Sequence, residues 1–324
     1  MMGTGTAAGP EATASDDALV SALRAGVVGE VRPGASLAEL TTLRVGGPAR
    51  VLVVAERDDD LAAVGTACRH HGVPWTVVGR GSNMLVADAG WPGVAVQLGR
   101  GFRGLEDGGD GRVRAGAAEP LPALAVRVAE AGYGGFAWAC AVPGTLGGAV
   151  RMNAGAHGGQ MADHLVEVDV VRFSSGTRET WPSAALGLTY RHSALPDDAV
   201  VVDATLRLEP GSPDDLKREI REIRGWRREH QPLNEPNCGS VFTNPPDDSA
   251  GRLVEAVGGK ALAVGGARIS DRHANFIVTS PGATATDVRA LIREVRGRVE
   301  ERFGIRLRPE VAMLGDFRDG GLDP

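Results

Sequence analysis

Hydrophobic and polar residues follow two different periods in the first third of the chain, and the changes between them separate strands from helices. Three short runs rich in β-branched residues predict strands over residues 51–55, 75–78 and 94–98. Between the first two runs, apolar residues recur at helical spacing over residues 58–71, and Gly72 follows as a typical left-handed helix end. A polar loop at residues 79–83 comes directly after the second strand.

Strands and helices continue to alternate through the rest of the chain. The pattern predicts strands from Val113 and over residues 166–173 and 200–208, and helices from Pro120 to Gly132, over residues 214–230 and over residues 286–303. The last helix is preceded by Thr284, which lies at capping-box spacing from Asp287. The composition breaks at residues 210–213, where we place a boundary between two domains.

The N-terminal region is poor in large apolar residues. Residues 1–15 can bury too little surface to offset the entropy lost on ordering, and they predict a flexible tail. A short helix follows, with Leu19, Leu23 and Val27 on one side. We therefore expect residues 1–35 to form a flexible tail and a short helix.

Charge and cysteine usage narrow the classes of function. The chain has 35 basic and 41 acidic residues, and its net charge of −6 gives no general attraction to nucleic acid or to anionic membranes. Its three cysteines are far apart and form no C-x-x-C pair, so we predict no disulfide framework and no metal site. No apolar run is long enough to span a membrane. These features favour a cytoplasmic protein that binds neither nucleic acid nor membranes.

Glycine is over-represented, at 46 of 324 residues, and it concentrates in two polar loops at residues 79–83 and 143–159. The first loop is not a dinucleotide fingerprint, because Met84 stands where that motif needs glycine, and residues 258–260 lack the serine or threonine of a P-loop. Each loop alone is typical of a tight turn. Together they can direct successive backbone N–H groups at the phosphates of a dinucleotide cofactor.

Three polar segments outside these loops leave their roles open. Ser240 follows a glycine and precedes two apolar residues, so its hydroxyl can serve a turn or a reaction. Glu310 either pairs with Arg308 or is held for proton chemistry. The segment 189–193, which contains Arg191, has the same ambiguity.

Five segments of the chain occur together, in this order, in one bacterial enzyme family. They are residues 42–47, 79–83, 142–155, 190–191, and 238–245 combined with 308–311. Over residues 36–316 the chain resembles the UDP-N-acetylenolpyruvoylglucosamine reductases. The resemblance implies an α+β fold. An FAD-binding domain of the vanillyl-alcohol-oxidase or PCMH type, with two subdomains, would occupy residues 36–210, and a C-terminal α+β substrate-binding domain residues 211–324.

The resemblance also implies an activity. Members of the family use non-covalent FAD and NADPH to reduce UDP-N-acetylglucosamine enolpyruvate to UDP-N-acetylmuramate, a step of peptidoglycan precursor synthesis that serves cell wall, shape and division. In this chain Ser240 matches the proton donor, while Arg191 and Glu310 match the residues that stabilise the enolate intermediate. A serine hydroxyl is a weak acid, so this role requires a basic intermediate close to it. We expect a monomer.

The same comparison assigns binding residues to this sequence. Those matching the cofactor site are Gly46, Gly47, Gly79, Arg80, Gly81, Ser82, Asn83, Pro143, Gly144, Thr145, Gly147, Gly148, Asn153 and Gly155. Those predicted to contact substrate are Tyr190, Asn244 and Arg268. His230 stands where family members often carry a lysine, which makes a phosphate contact there weaker and pH-dependent, so arginines such as Arg227, Arg228 or Arg268 can bind the diphosphate instead.

The distance along the chain between Arg191 and Ser240 bears on the family type. This short path indicates the type that lacks an inserted tyrosine-bearing loop.

Two other functions stay open from the sequence. One is an alcohol or sugar oxidase of the same flavin fold, and the other is a catalytically silent sensor of nucleotide sugars.

Overall fold

The computed structural model describes residues 10–317 as a mixed α and β structure. The helices are α1 (Pro10–Gly26), α2 (Asp58–His71), α3 (Leu121–Glu130), α4 (Leu146–Arg151), α5 (Pro213–His230), α6 (Ala250–Ala256) and α7 (Ala285–Phe303). The strands are β1 (Glu30–Pro33), β2 (Ala49–Ala55), β3 (Trp75–Val77), β4 (Met84–Val86), β5 (Trp91–Leu98), β6 (Leu105–Gly109), β7 (Arg112–Gly116), β8 (Tyr133–Gly134), β9 (Gly155–Ala156), β10 (Gly159–Gln160), β11 (Leu165–Arg172), β12 (Arg178–Pro182), β13 (Ala199–Arg207), β14 (Glu209–Pro210), β15 (Ala263–Val264), β16 (Ala267–Ile269), β17 (Ile277–Thr279) and β18 (Ala312–Leu314).

The first layer is a four-stranded sheet in the order β1-β2-β5-β3, in which β2 and β3 both run parallel to β5. Helix α2 lies where the sequence predicts it and ends at Gly72, whose φ of 62° is left-handed. Helix α1 packs on α2 through Leu19, Leu23 and Val27. It begins at Pro10, so residues 10–15, predicted as tail, belong to the helix that this buried stripe stabilises. The rest of the predicted tail lies outside the described residues.

The second layer is a five-stranded antiparallel sheet in the order β12-β11-β13-β7-β6, with α3 and α4 packed beside it. The sequence pattern predicts its three inner strands but misses β6 and β12. These two are the edge strands, and most of their side chains are exposed or only partly buried. Their hydrophobic pattern is therefore too weak to predict a strand.

The C-terminal region contains the three-stranded sheet β15-β16-β17 with α6 and α7 packed against it. The predicted capping box is present, since Thr284 Oγ1 accepts a hydrogen bond from the N–H of Asp287 at 3.0 Å. This region is tied in two ways to the chain segment between β3 and β5. Strand β18 pairs in parallel with β4, and the Asp88 carboxylate accepts the N–H of Ala285 at 2.7 Å, at the start of α7.

Helix α5 is the predicted start of the second domain. It packs against α3 and a short 3-10 turn at Ala137–Ala141, and its Leu216 and Ile220 belong to the same buried cluster as the five-stranded sheet. The amphipathic pattern of α5 is correct, but its apolar face covers the core of the preceding region. The boundary at residue 211 stays a prediction.

Candidate active site

A cleft of about 820 Å³ separates the two layers. One wall is formed by β3 and the end of β5, and the other by residues 117–118 and the beginning of β13. Five of the predicted cofactor residues line it, namely Gly79, Arg80, Thr145, Gly147 and Gly148. The cleft lies between both glycine-rich loops, where the sequence places a dinucleotide.

The two glycine-rich loops meet at the mouth of this cleft. Arg80 Nε donates a hydrogen bond to the main-chain oxygen of Pro143 at 3.1 Å. A Cβ atom added to Gly79 would lie 2.9 Å from Thr145 Oγ1, which is too close for an unstrained contact. A Cβ on Gly144 would lie 3.5 Å from Ser82 Oγ, an ordinary contact. Glycine at position 79 therefore permits the loops to approach each other.

The first loop presents free backbone donors. None of the main-chain N–H groups of residues 79–83 donates a hydrogen bond within the described part of the chain. In the second loop, by contrast, the N–H of Gly147 donates to Ala117 at 2.9 Å and that of Gly148 to Thr145 Oγ1 at 3.3 Å. Successive free N–H groups are the donors that phosphate oxygens require. The residues present therefore fit a pyrophosphate, with the first loop as its main donor.

Three predicted cofactor glycines have a packing reason to be glycine. Gly46 has a φ of 110°, and a Cβ there would lie 2.6 Å from the main-chain oxygen of Val86. A Cβ on Gly47 would lie 2.3 Å from the main-chain oxygen of Asp88, and one on Gly81 would lie 2.2 Å from that of Leu40. Neither Gly46 nor Gly47 lines the cleft described above. They pack instead against the segment that connects β4 to β5.

A second cavity, of about 630 Å³, holds the predicted substrate residues Tyr190 and Asn244 together with Arg191 and Glu310. Its walls come from the 189–192 turn, the segment 243–246 and the segment 305–310. Tyr190 is exposed, and its ring lies 4.8 Å from the guanidinium carbon of Arg191. Asn244 Oδ1 accepts the N–H of Ala250 at 3.0 Å, which leaves its amide nitrogen available to a ligand.

Arg191 and Glu310 form an ion pair at this cavity. Arg191 Nε lies 2.9 Å from Glu310 Oε1, and their side chains are only 22% and 15% exposed. Arg191 Nη2 also donates to the main-chain oxygen of Gly155 at 2.8 Å, so the glycine-rich loop holds the same guanidinium. The alternative pairing of Glu310 with Arg308 is wrong. Arg191 reaches Glu310 from a turn that lies 119 residues earlier in the chain.

Burial and charge act in opposite directions on Glu310. Burial raises the pKa of its carboxyl above the ordinary value, and the neighbouring Arg191 lowers it by a smaller amount. The carboxyl is therefore a better proton carrier than an exposed glutamate. Burial also raises the pKa of the Cys238 thiol to about 12, so this cysteine stays protonated and is not a nucleophile.

The segment that carries Ser240 is hydrogen-bonded to the backbone of Glu310, although Ser240 itself lines neither cavity. The main-chain oxygen of Val241, the next residue, accepts the N–H of Glu310 at 2.7 Å, and the N–H of Val241 donates to Asn275 at 2.9 Å. Ser240 is half-buried. Its hydroxyl makes no hydrogen bond with any other residue in the range 10–317, so it is free to donate to a ligand.

Asn83 joins the first glycine-rich loop to Glu310. Its Nδ2 donates to the main-chain oxygen of Glu310 at 3.1 Å, and its own main-chain oxygen accepts the N–H of Ala312 at 3.0 Å. The predicted cofactor loop thus also fixes the backbone that carries the carboxylate. Hydrogen bonds therefore link the segments that carry the three predicted catalytic residues to both glycine-rich loops.

Of the three predicted substrate residues, Arg268 is the one that lines neither cavity. Its guanidinium pairs with the carboxylates of Glu235 and Asp271, which already satisfy its charge. His230 Nδ1 lies 2.8 Å from the main-chain oxygen of Trp226, and its ring stacks on that indole. The proposed shift of diphosphate binding toward Arg268 therefore gains no support.

Several lining residues of the dinucleotide cleft were not predicted. Arg100, Arg103 and Arg151 line it, but the lining also contains Glu39, Glu56 and Asp197, and Arg151 Nη2 lies 3.2 Å from Asp197 Oδ1. Arg151 is held by hydrogen bonds to the main-chain oxygens of Leu195 and Pro196 at 3.0 and 2.8 Å. Arg100 and Arg103 lie in no recognisable motif. Arg151 lies inside the second glycine-rich loop, and only its positive charge could have suggested that it lines an anion site.

Known proteins with similar sequences share this arrangement of regions. A family described as "FAD binding domain" matches residues 49–180, and one described as "UDP-N-acetylenolpyruvoylglucosamine reductase, C-terminal domain" matches residues 231–314. The UDP-N-acetylenolpyruvoylglucosamine reductase of Synechococcus sp. is 47% identical over 86% of this chain and 91% of its own length. That of Heliobacterium modesticaldum is 46% identical over 87% and 90%.

The chain belongs to the UDP-N-acetylenolpyruvoylglucosamine reductase family. The crystal structure of the family member from Thermus caldophilus superimposes with a TM-score of 0.76 at 36% identity, covering 89% of this chain and 99% of that one. The predicted fold class is therefore confirmed, and the chain is an FAD-binding oxidoreductase of this family. No helix within residues 10–317 is both long and apolar enough to cross a bilayer.

Proposed function

We propose that the chain catalyses the NADPH-dependent reduction of UDP-N-acetylglucosamine enolpyruvate to UDP-N-acetylmuramate. The observation that carries the proposal is the buried ion pair of Arg191 and Glu310, which hydrogen bonds link to the Ser240 segment and to both loops of a cleft that fits a dinucleotide. These are the three residue types that the reduction of an enolpyruvyl ether requires. The family relationship supports the same reaction and its place in peptidoglycan synthesis.

The cleft between the layers would hold FAD, with the N–H groups of residues 79–83 on its pyrophosphate. When bound, FAD supplies the two electrons of the reaction, accepting them from NADPH and passing them to the vinyl carbon of the substrate. The Gly155 main-chain oxygen, which accepts from Arg191, joins the second glycine-rich loop to a residue that lines the second cavity. The substrate would enter that cavity between Tyr190 and Asn244.

Arg191 would bind the carboxylate of the enolpyruvyl group. Addition of hydride to the vinyl carbon would leave negative charge on the neighbouring carbon. This charge is best delocalised into the attached carboxylate as an enolate. A guanidinium provides two parallel donors that match both carboxylate oxygens. The ion pair with Glu310 would keep the guanidinium oriented, and through it Glu310 would help to stabilise the enolate.

Ser240 would complete the saturation by donating its hydroxyl proton to the enolate carbon. Its hydroxyl makes no hydrogen bond with the described residues, so the proton does not have to leave an existing protein acceptor. A serine can act in this role because the enolate carbon is strongly basic. The hydrogen bond between Val241 and Glu310 would hold the backbone next to Ser240 against the segment that carries the carboxylate.

The proposal is tested by the visible spectrum of the pure protein under anaerobic conditions. We expect a yellow protein that bleaches when NADPH is added and recovers its colour when UDP-N-acetylglucosamine enolpyruvate follows. Recovery with oxygen but not with this substrate would instead indicate an oxidase. A colourless protein that still binds the nucleotide sugar would indicate a sensor. Either of these outcomes contradicts the proposal.

A further inference from the structure

Asn153 has a side chain that is entirely engaged inside the protein. It is 1% exposed, and its Nδ2 donates to the main-chain oxygen of Thr189 at 2.8 Å and to Gln160 Oε1 at 3.3 Å. Its Oδ1 accepts the N–H of Ala162 at 2.9 Å. The amide is therefore buried with both of its donors used inside the protein, although the sequence assigns this residue to the cofactor loop.

The bond to Thr189 fixes the turn that carries Arg191. The N–H of Thr189 donates to the main-chain oxygen of His192 at 3.0 Å, and the N–H of His192 donates back to Thr189 at 3.1 Å. This leaves Tyr190 and Arg191 at the tip of a two-residue turn. Arg191 has a φ of 57°, a left-handed conformation that costs a residue with a side chain about 1 kcal/mol or more. Such a turn needs an anchor outside itself.

The other bonds of Asn153 fix the loop that receives the Arg191 guanidinium. Gln160 pairs with Gly155 across the two-residue strands β9 and β10, and Gly155 supplies the main-chain oxygen that accepts from Arg191 at 2.8 Å. One buried amide thus joins the backbone that carries Arg191 to the loop that orients its side chain. Both connections are made by the same planar group, which keeps their relative position fixed.

We propose that Asn153 is a positioning residue for Arg191, and this inference rests on the proposed function. Asn153 acts through the guanidinium and touches neither substrate nor cofactor with its amide. Its loss lets the 189–192 turn and the Gly155 oxygen move independently. The guanidinium then meets the substrate carboxylate in a poorer orientation, while the cleft for the dinucleotide keeps its walls.

The decisive test is a double-mutant cycle that combines Asn153→Gly with Arg191→Ala. Glycine removes the amide and adopts the positive φ of 40° at this position without strain. In the protein that retains Arg191, we expect Asn153→Gly to slow oxidation of the reduced flavin by substrate about tenfold. This is the size of effect that the loss of one buried hydrogen bond produces. In the Arg191→Ala background the same change should have less than about a twofold effect, because coupled residues are not additive.

Two further measurements and a control variant separate positioning from a general loss of structure. Reduction of the flavin by NADPH should stay within about twofold of wild type, and calorimetry should show weaker binding of UDP-N-acetylmuramate only when Arg191 is present. Thr205→Val serves as the matched control. Thr205 is also buried, and the substitution removes its side-chain hydrogen bond to Glu167 in the five-stranded sheet. It should change the melting temperature but neither half-reaction.

Asn153→Asp provides a second variant that keeps the acceptor for Ala162 and lacks the donor to Thr189. It should reproduce the same cycle. Equal effects of either Asn153 change in both Arg191 backgrounds would overturn the inference, as would loss of flavin by both variants. A wild-type protein whose reduced flavin is not oxidised by substrate would refute the proposed function itself, and the inference with it.

Discussion

Replacing Ser240 by alanine separates proton donation from every other contribution of the site. The hydroxyl is half-buried and has no hydrogen-bond partner among residues 10–317, so its removal should change the free energy of unfolding by less than about 1 kcal/mol. A positioned general acid contributes about 10²- to 10⁴-fold in rate. That range corresponds to about 2.7–5.4 kcal/mol in the activation barrier, far more than the loss of stability.

The two half-reactions can be measured separately by anaerobic stopped-flow absorbance. Ser240→Ala should leave reduction of the flavin by NADPH close to the wild-type rate, because no proton from Ser240 enters that step. Oxidation by UDP-N-acetylglucosamine enolpyruvate should slow by about 10²- to 10⁴-fold. Ser280→Ala is a suitable control, since Ser280 donates to Gly266 at 3.2 Å in the C-terminal region and lines neither cavity. Equal slowing of both half-reactions, or no slowing of the second, would refute the assignment of Ser240.

Three other predictions concern stability. The folded protein binds the proton of Glu310 more tightly than the unfolded chain, because the pKa of this carboxyl is raised, so its ionisation lowers stability as pH rises above the ordinary value of 4.5. Glu310→Gln should remove this decline, which thermal unfolding of both proteins across that range will detect. Burial raises the pKa of the Asp169 carboxyl, but hydrogen bonds from threonine and arginine side chains outweigh this effect and lower the pKa to about 2. Asp169→Asn should therefore reduce the unfolding free energy by about 2 kcal/mol at neutral pH, and urea titrations should show the difference vanish as pH falls from 3.8 to about 2. Gly46→Ala should destabilise more than Gly34→Ala by at least about 1 kcal/mol, since both have positive φ but only position 46 also meets the main chain of Val86; equal melting temperatures would contradict this reading.

The three candidate catalytic residues can be predicted from the sequence because each lies in a short segment with a distinctive composition. Ser240, Arg191 and Glu310 stand beside glycine, tyrosine and proline residues whose spacing can be compared with a known family. What the sequence does not contain is their pairing. The bond between Arg191 and Glu310 joins positions 119 residues apart, and local spacing carries no information about such a contact.

The same limit explains the other differences between prediction and structure. Edge strands β6 and β12 lack a buried stripe, so periodicity does not mark them. Helix α5 has a clear apolar face, but the pattern does not say which core the face will cover. The positive charge of Arg268 suggested a phosphate contact, and its carboxylate partner Glu235 lies 33 residues away in sequence. Asn153 was assigned from its loop, whereas its fully bonded amide is visible only in three dimensions.

The central claim is that Arg191, Glu310 and Ser240 surround one enolpyruvyl group at the end of a flavin cleft. A crystal structure of the oxidised protein with FAD and UDP-N-acetylglucosamine enolpyruvate tests it most directly. We predict that the substrate carboxylate will lie within hydrogen-bond distance of the Arg191 guanidinium, with Ser240 Oγ facing the carbon that bears the carboxylate. A substrate whose carboxylate lies elsewhere, or whose alkene is turned away from Ser240, would contradict the account.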